Sequence, residues 1–416
     1  MKKLLAILLI AVLVLGLVAC AGETAPTPAP EPADTPAPAD TPPAQEEPGD
    51  EEQSNLEISL AMAEEASAIL STDGQVLMPP LLEIAIPERP ADPAALDDYD
   101  ILRWFDMEFV GWDAYDKINP AVSPGDGSNG KHIILIVHGD HPWTTAYMNG
   151  AEIAAAAHGM TIDIWSPNWD VNIQNQLVNK AINARPDAIG LIPLNAEAAV
   201  MQFRSINEAG IPVFGTNTLP TSESMRYMVT WTGPNDWYQM RLLARALADE
   251  MGGQGGIAYL THNPGGSPFF ARMWGPRTEL GLYAPDIVTL DVQSPGFDAP
   301  AARQVVADWI TRFGDDLTAI FLADDSSQAI GAVDAVREAG REDILIVGAG
   351  NSRQGMGFVE DGSMLAVNYQ TAEGDGAAVI RAMALWFNGQ TLPVVGYLTT
   401  DLIFQNNVQG FMPAQW

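Results

Sequence analysis

From Lys131 onward, apolar runs of four or five residues rich in Ile and Val are separated by stretches of helical periodicity. Strands buried on both faces read as continuous apolar segments, and regular alternation of such strands with helices is the mark of βαβ units. The first candidate strands are Ile133 to Val137, Thr161 to Trp165, Ala188 to Ile192, Pro212 to Gly215 and Tyr227 to Trp231. A second series runs Gly256 to Leu260, Ile287 to Leu290, Ala319 to Leu322, Ile344 to Val347 and Leu365 to Asn368. Right-handed crossovers leave little topological freedom, so the expected fold class is α/β, with two doubly wound parallel-sheet lobes. A helix near Ala377 to Phe387 and a final strand look like returns. Three crossings are therefore expected, near Gly233 to Asp236, near Gln370 and near Thr391 to Val394. They give a first lobe of 131–232 plus 371–392 and a second of 233–370 plus 393–416.

The residues ahead of the sheets are of different character. Lys2 and Lys3 precede an apolar run from Leu4 to Val18, which ends at Leu17-Val18-Ala19-Cys20. A charged start, a short apolar stretch and a small-residue boundary form a secretory signal, too short for a membrane span. Leu-Val-Ala-Cys resembles the lipobox of bacterial lipoproteins, which implies that Cys20 carries a lipid anchor on an exported protein. Cys20 is the only cysteine, so no intramolecular disulfide can form. Residues 21–53 are dominated by Pro, Ala, Thr, Asp and Glu without periodic apolar positions, the composition of a disordered tether. Residues 54–130 contain a plausible helix at Leu56 to Leu70, a Pro-rich stretch and an aromatic segment around Trp104, Phe105, Phe109 and Trp112. Their apolar residues are too interrupted for a separate core, so an added layer on the main fold is expected and no function is assigned.

Charge narrows the partners. The 53 acidic residues are an ordinary number, but only 20 Lys and Arg oppose them, leaving a formal charge of −33. That field repels phosphate backbones and anionic headgroups, and no basic cluster makes a local exception. Nucleic acid is excluded as a partner, and the membrane is met only through the anchor.

In open parallel sheets, ligands bind beyond the carboxyl ends of the strands. The turns there read His138-Gly139-Asp140-His141-Pro142-Trp143, Thr216-Asn217-Thr218, His262-Asn263, Asp324-Asp325, Asn351-Ser352 and Tyr369-Gln370, with Arg272 nearby. Amides, carboxylates and aromatics together suit a neutral polyhydroxylated molecule, with donors and acceptors for hydroxyls and ring faces for the apolar side.

Residues 132 to about 405 resemble the ribose-binding-like family of periplasmic sugar-binding proteins, which also supplies the regulatory domain of LacI-type repressors. The segments that carry the likeness are His132 to Val137 with Pro142-Trp143 and Asn149 to Glu152, Asp187 to Ile189, Ala209 to Val213, and Ala323-Asp324-Asp325 with Ala329 to Ala332. The resemblance implies a type I solute-binding fold with a three-crossing hinge. It places Trp143 and Phe297 as aromatics on the sugar ring, Arg272 as a fork on sugar oxygens, Asp325 on hydroxyls and Gln370 at the hinge. His141 stands where Asn is common, and Asn217 where Asp is common. The alternative for the two aromatics is core packing, and for Arg272 a surface helix charge. Thr218, Ile192 and Gly350 depart from positions often held by Arg, Asn and Asp, so the site should be less polar than one shaped for ribose. The implied function is capture of a monosaccharide or polyol for an ABC transporter permease by a monomeric lipoprotein on the outer face of the membrane or in the periplasm. A sensory receptor acting through a chemoreceptor or sensor kinase is the alternative.

An enzyme reading finds little. Asp324-Asp325 are adjacent at a strand end and should point apart, unlike the paired carboxylates of glycoside hydrolysis. His138 and His141 lack further ligands at metal-binding spacing, so no metal and no cofactor is expected. The glycines at 252–256 and 265–266 lack the Gly-Lys-Ser/Thr ending of a phosphate loop. A leader and an acidic tether stand where a repressor would carry its DNA-binding helices.

Overall fold

In a computed structural model describing residues 53–105 and 111–416, the apolar runs form two six-stranded sheets. The expected signal segment, Cys20, the tether up to residue 52 and Phe109 lie outside the described residues. The described residues belong to one compact unit.

The first sheet contains β1 (His132–Ile136), β2 (Thr161–Trp165), β3 (Ala188–Leu191), β4 (Val213–Thr216) and β5 (Trp231–Gly233). The second contains β6 (Gln254–Leu260), β7 (Asp286–Gln293), β8 (Leu317–Leu322), β9 (Leu345–Gly348) and β10 (Ala366–Asn368). The short strands β11 (Val395–Tyr397) and β12 (Leu402–Phe404) complete them, in the orders β11-β5-β4-β3-β1-β2 and β12-β10-β9-β8-β6-β7. Burial follows position. In β1, flanked by β2 and β3, Ile133 to Ile136 are fully buried, whereas edge strand β2 is partly exposed throughout. All pairings in the first sheet are parallel, and in the second only β12 runs antiparallel, against β10.

Two local expectations need correction. Tyr227 to Thr230 do not belong to the fifth strand. Tyr227 N donates to Ser224 O and closes a turn after the short helix Ser222–Met225, so β5 starts only at Trp231. The return strand was expected to begin the second lobe at residue 393, but β11 pairs in register with β5 of the first sheet, Val395 opposite Trp231. The third crossing is therefore the segment 398–401, where Leu398 N still bonds Gly233 O and Tyr369 N already bonds Asp401 O.

Helix Ala372–Phe387 is buried along almost its whole length, under the first sheet and against helix Pro142–Ala157. The two meet through glycine. A Cβ on Gly150 would lie 1.9 Å from Glu373 O, and one on Gly376 would lie 1.9 Å from Tyr147 O. Backbone cannot yield as a flexible side chain does, so Gly376→Val should destabilise the fold by about 1–3 kcal/mol, read as a lower denaturation midpoint at unchanged m-value.

The described residues between 54 and 130 are an added layer, and they touch both sheet systems. Helix Asn55–Ala66 is capped reciprocally by Ser54 and Glu57. Leu77 and Met78 join the core beneath helix Pro142–Ala157, and Leu82 forms a bridge with Tyr397 that continues the first sheet past β11. Asp73 accepts from the Tyr369 hydroxyl at 2.9 Å and from Gln415 Nε2 at 2.9 Å. Consecutive residues Trp104 and Phe105 go to different lobes. Trp104 stacks on Trp274 with ring centroids 4.2 Å apart and packs with Trp237 and Ala271, while Phe105 enters the core of the first sheet.

Candidate ligand-binding cleft

Turns at the carboxyl ends of strands from both sheets converge on one cavity of about 350 Å³. His138 follows β1, Asn217 follows β4 and Asp236 follows β5. His262, Asp324, Gly350 and Gln370 follow β6, β8, β9 and β10. Six of the seven expected contact residues line it: His141, Trp143, Asn217, Arg272, Phe297 and Gln370.

Asp325 does not line the cavity, and Asp324 does. Neighbouring residues leaving a strand point to opposite sides. Asp324 faces the cleft, with its carboxylate accepting from Ser326 Oγ at 2.7 Å and Gln328 N at 3.1 Å at the start of helix Ser327–Glu338. Asp325 turns beneath, fully buried, and accepts from Ser352 N at 2.7 Å. Burial and the neighbouring Asp324 charge push the Asp325 carboxyl well above the usual carboxylate range. Of the three departures singled out in the sequence, Thr218 and Gly350 line the cavity; Ile192 is fully buried and Pro193 and Leu194 take its place at the wall.

The second-lobe wall is organised around Arg272. Its Nε donates to Asp236 Oδ1 at 2.9 Å, Nη1 to Ala323 O at 2.8 Å and Nη2 to Gln370 Oε1 at 3.1 Å. Three of the five guanidinium N–H groups are thereby fixed, which orients the other two. Gln370 sits on the crossing that leaves β10, so this clamp reaches into the hinge. Asp236 was readable only as part of the first crossing; its sequence carries no other mark of a ligand wall.

The first-lobe wall is aromatic. Helix Pro142–Ala157 begins with His141 as its cap, Nδ1 accepting from Trp143 N at 3.1 Å, and that turn presents Trp143 to the cleft. His138 stacks on Trp169 at 5.2 Å and meets Trp143 edge-on at 5.6 Å. Across the cleft, His262 packs edge-on against Phe297 at 4.8 Å. Asn217 holds a left-handed backbone, φ 58°, which a short amide side chain tolerates. It joins His138 Nε2 at 2.9 Å and donates to Asp375 Oδ2 at 2.7 Å. Burial pushes the Asp375 carboxyl well above its ordinary range.

Of the wall histidines, His138 and His262 are neutral near pH 7. Burial, opposed by the Asn217 bond, pushes His138 down to about 4, and burial with the nearby Arg272 charge pushes His262 down to about 3. Burial also lowers His141, which keeps Nδ1 free to accept as a helix cap. A lowered imidazole pKa means that protonation comes only as pH falls through the folded value. In an NMR titration His138 and His262 should keep neutral-imidazole shifts from pH 8 to 5, and ligand affinity should stay level across pH 6–8 before falling as pH approaches 4.

Among the described residues, no group of three or more His, Cys, Asp or Glu side chains could hold a metal ion, and no helix is long and apolar enough to cross a membrane. The arrangement offers hydrogen bonds and ring faces to a small solute.

Comparison with known proteins agrees with this geometry. The family described as periplasmic binding protein domain matches residues 133–391. The chain is 28% identical over 271 residues to a xylitol-binding protein of Mycolicibacterium smegmatis, covering 64% of this chain and 76% of that one. It is 27% identical over 232 residues to a D-ribose/D-allose-binding protein of Pseudomonas aeruginosa, covering 53% and 70%. An ABC transporter solute-binding protein from Bacillus halodurans, solved with bound myo-inositol, shares the fold at TM-score 0.63 and 18% identity, over 70% of this chain and 99% of that one. Two sheets of parallel strands, a cavity at their facing carboxyl ends and a family match over more than half of the sequence lead to one assignment: the chain belongs to the periplasmic binding protein family.

Proposed function

We propose that this protein is the substrate-binding component of an ABC-type importer, capturing a monosaccharide or polyol between two lobes that close on it. It is exported, anchored through a lipid on Cys20, and acts as a monomer that delivers ligand to a permease. The observation that carries this reading is a small cavity walled from both lobes, with rings on both sides and the Arg272–Asp236–Gln370 clamp on the second. The names of the relatives support the ligand class, and their being binding proteins supports capture without turnover.

Charge refines the class. Arg272 is the one cation among the cavity-lining residues, and it is already paired with Asp236 at 2.9 Å. A phosphate or uronate would meet Asp236 and Asp324 with no free cation, so neutral solutes are favoured. Isothermal titration of residues 52–416 with xylitol, D-ribose, D-allose and myo-inositol should give one-to-one binding to at least one of them and none to D-ribose 5-phosphate or D-glucuronate. Binding confined to the anions would refute the assignment.

A further inference from the structure

The described cavity is not the only space between the lobes. A second one, of about 810 Å³, lies against it, and its walls mix polar side chains, Thr72, Asn149, Ser326, Ser327, Arg353 and Gln354 among them, with the apolar Pro142, Ala146 and Ile330. Two residues line both cavities, His141 and Trp416.

Trp416 is held from several sides. Its carbonyl accepts from Arg353 N at 2.7 Å. The preceding Gln415 accepts from Glu373 N at 2.9 Å and donates to Asp73 Oδ2 at 2.9 Å, and Ala414 is buried in the second-lobe core. The indole stands 5.8 Å from the His141 ring. On its other side lies Gly350, at φ 116°, where a Cβ would come 2.4 Å from Asp325 Oδ1 and 3.3 Å from Trp416 Cζ2. Gly350 is demanded first by its left-handed backbone and by Asp325, and the Trp416 ring packs against the space it leaves. The Trp416 Nε1–H is buried without a hydrogen-bond partner, as is that of Trp143. A buried donor left unpaired is costly, and a ligand oxygen in the inner cavity would satisfy it.

We propose that Trp416 is a specificity-determining residue: a fixed aromatic wall between the two cavities that limits the ligand to a single ring or a short polyol and donates one hydrogen bond to it. The proposal rests on the sugar or polyol reading above. With the wall removed, the inner cavity opens into the outer one, whose hydroxyls, amides and Arg353, set among apolar surface, suit a second sugar ring.

The experiment is calorimetric titration of the wild type, Trp416→Ala and Trp416→Phe with the four monosaccharides and polyols named above and with xylobiose, cellobiose and maltose. The wild type should bind a small ligand and no disaccharide. Trp416→Ala should bind the small ligand at least tenfold more weakly and take up at least one disaccharide. Trp416→Phe, which keeps the wall and loses the N–H, should still exclude disaccharides while binding the small ligand several-fold more weakly, and it tests the wall even where the alanine variant is poorly folded. Wild-type selectivity and affinity in both variants overturn the role of Trp416. Failure of the wild type itself to bind any small ligand overturns instead the functional reading on which the role depends.

Discussion

Replacing Arg272 with alanine is expected to weaken ligand binding by a hundredfold or more and to lower stability by about 3 kcal/mol. The guanidinium is nearly inaccessible, and so is its partner: the Arg272 and Asp236 side chains are 11% and 8% exposed. Truncating one member of a buried, hydrogen-bonded charge pair costs about 3–5 kcal/mol, chiefly because the other charge is left in a poor solvent. Here the loss also strands Ala323 O and Gln370 Oε1, which Arg272 now satisfies. At the ligand the same change removes the two oriented N–H groups, and a loss of about 2–5 kcal/mol in binding follows. The two effects separate in the double variant Arg272→Met/Asp236→Leu. Replacing both charges with apolar groups should restore most of the stability without restoring binding. Denaturant melts and calorimetry on the three proteins check this, and a double variant that binds normally would remove the clamp from the account.

Trp104→Ala is expected to cost about 3 kcal/mol, although Trp104 lies outside both sheets. Its indole stacks on Trp274, covers Trp237 and Ala271, and donates from Nε1 to Asp98 O at 2.8 Å. Trp237 directly follows Asp236, and Ala271 directly precedes Arg272, so the patch beneath Trp104 is the back of the ligand clamp. Losing the indole should release the segment 53–105 first, since local opening draws on the least supported contacts. Limited proteolysis should then cleave the variant within residues 53–130 well before the sheets, whereas the wild type resists there. Equal cleavage rates would mean that the layer is held by its other contacts, those of Asp73, Leu77, Met78, Leu82 and Phe105.

The sheets were legible because buried parallel strands show as unbroken runs such as Ile133 to Val137, and the rule that ligands sit beyond strand ends then located most of the wall. Where the reading failed, the causes are physical. Strands β11 and β12 have three residues each, too few to stand out beside Pro393 and Gly396, and that hid the true third crossing. Asp324 and Asp325 could not be told apart because the sequence shows that adjacent side chains diverge without showing which one faces inward. Asp236 opens the helix after β5 and Trp416 reaches the cleft through long-range folding, and neither carries a recognisable sequence pattern. The layer 54–130 was expected to pack on the fold, but its split allegiance, Trp104 to one lobe and Phe105 to the other, follows only from the assembled surfaces.

Small-angle X-ray scattering on residues 52–416, with and without a saturating sugar or polyol ligand, tests the capture of solute between two lobes most directly. Contacts from both walls can shift the lobes only if they are made together in the closed form. The ligand should therefore reduce the radius of gyration and sharpen the pair-distance distribution. Scattering curves that superimpose with and without bound ligand would contradict closure around the solute.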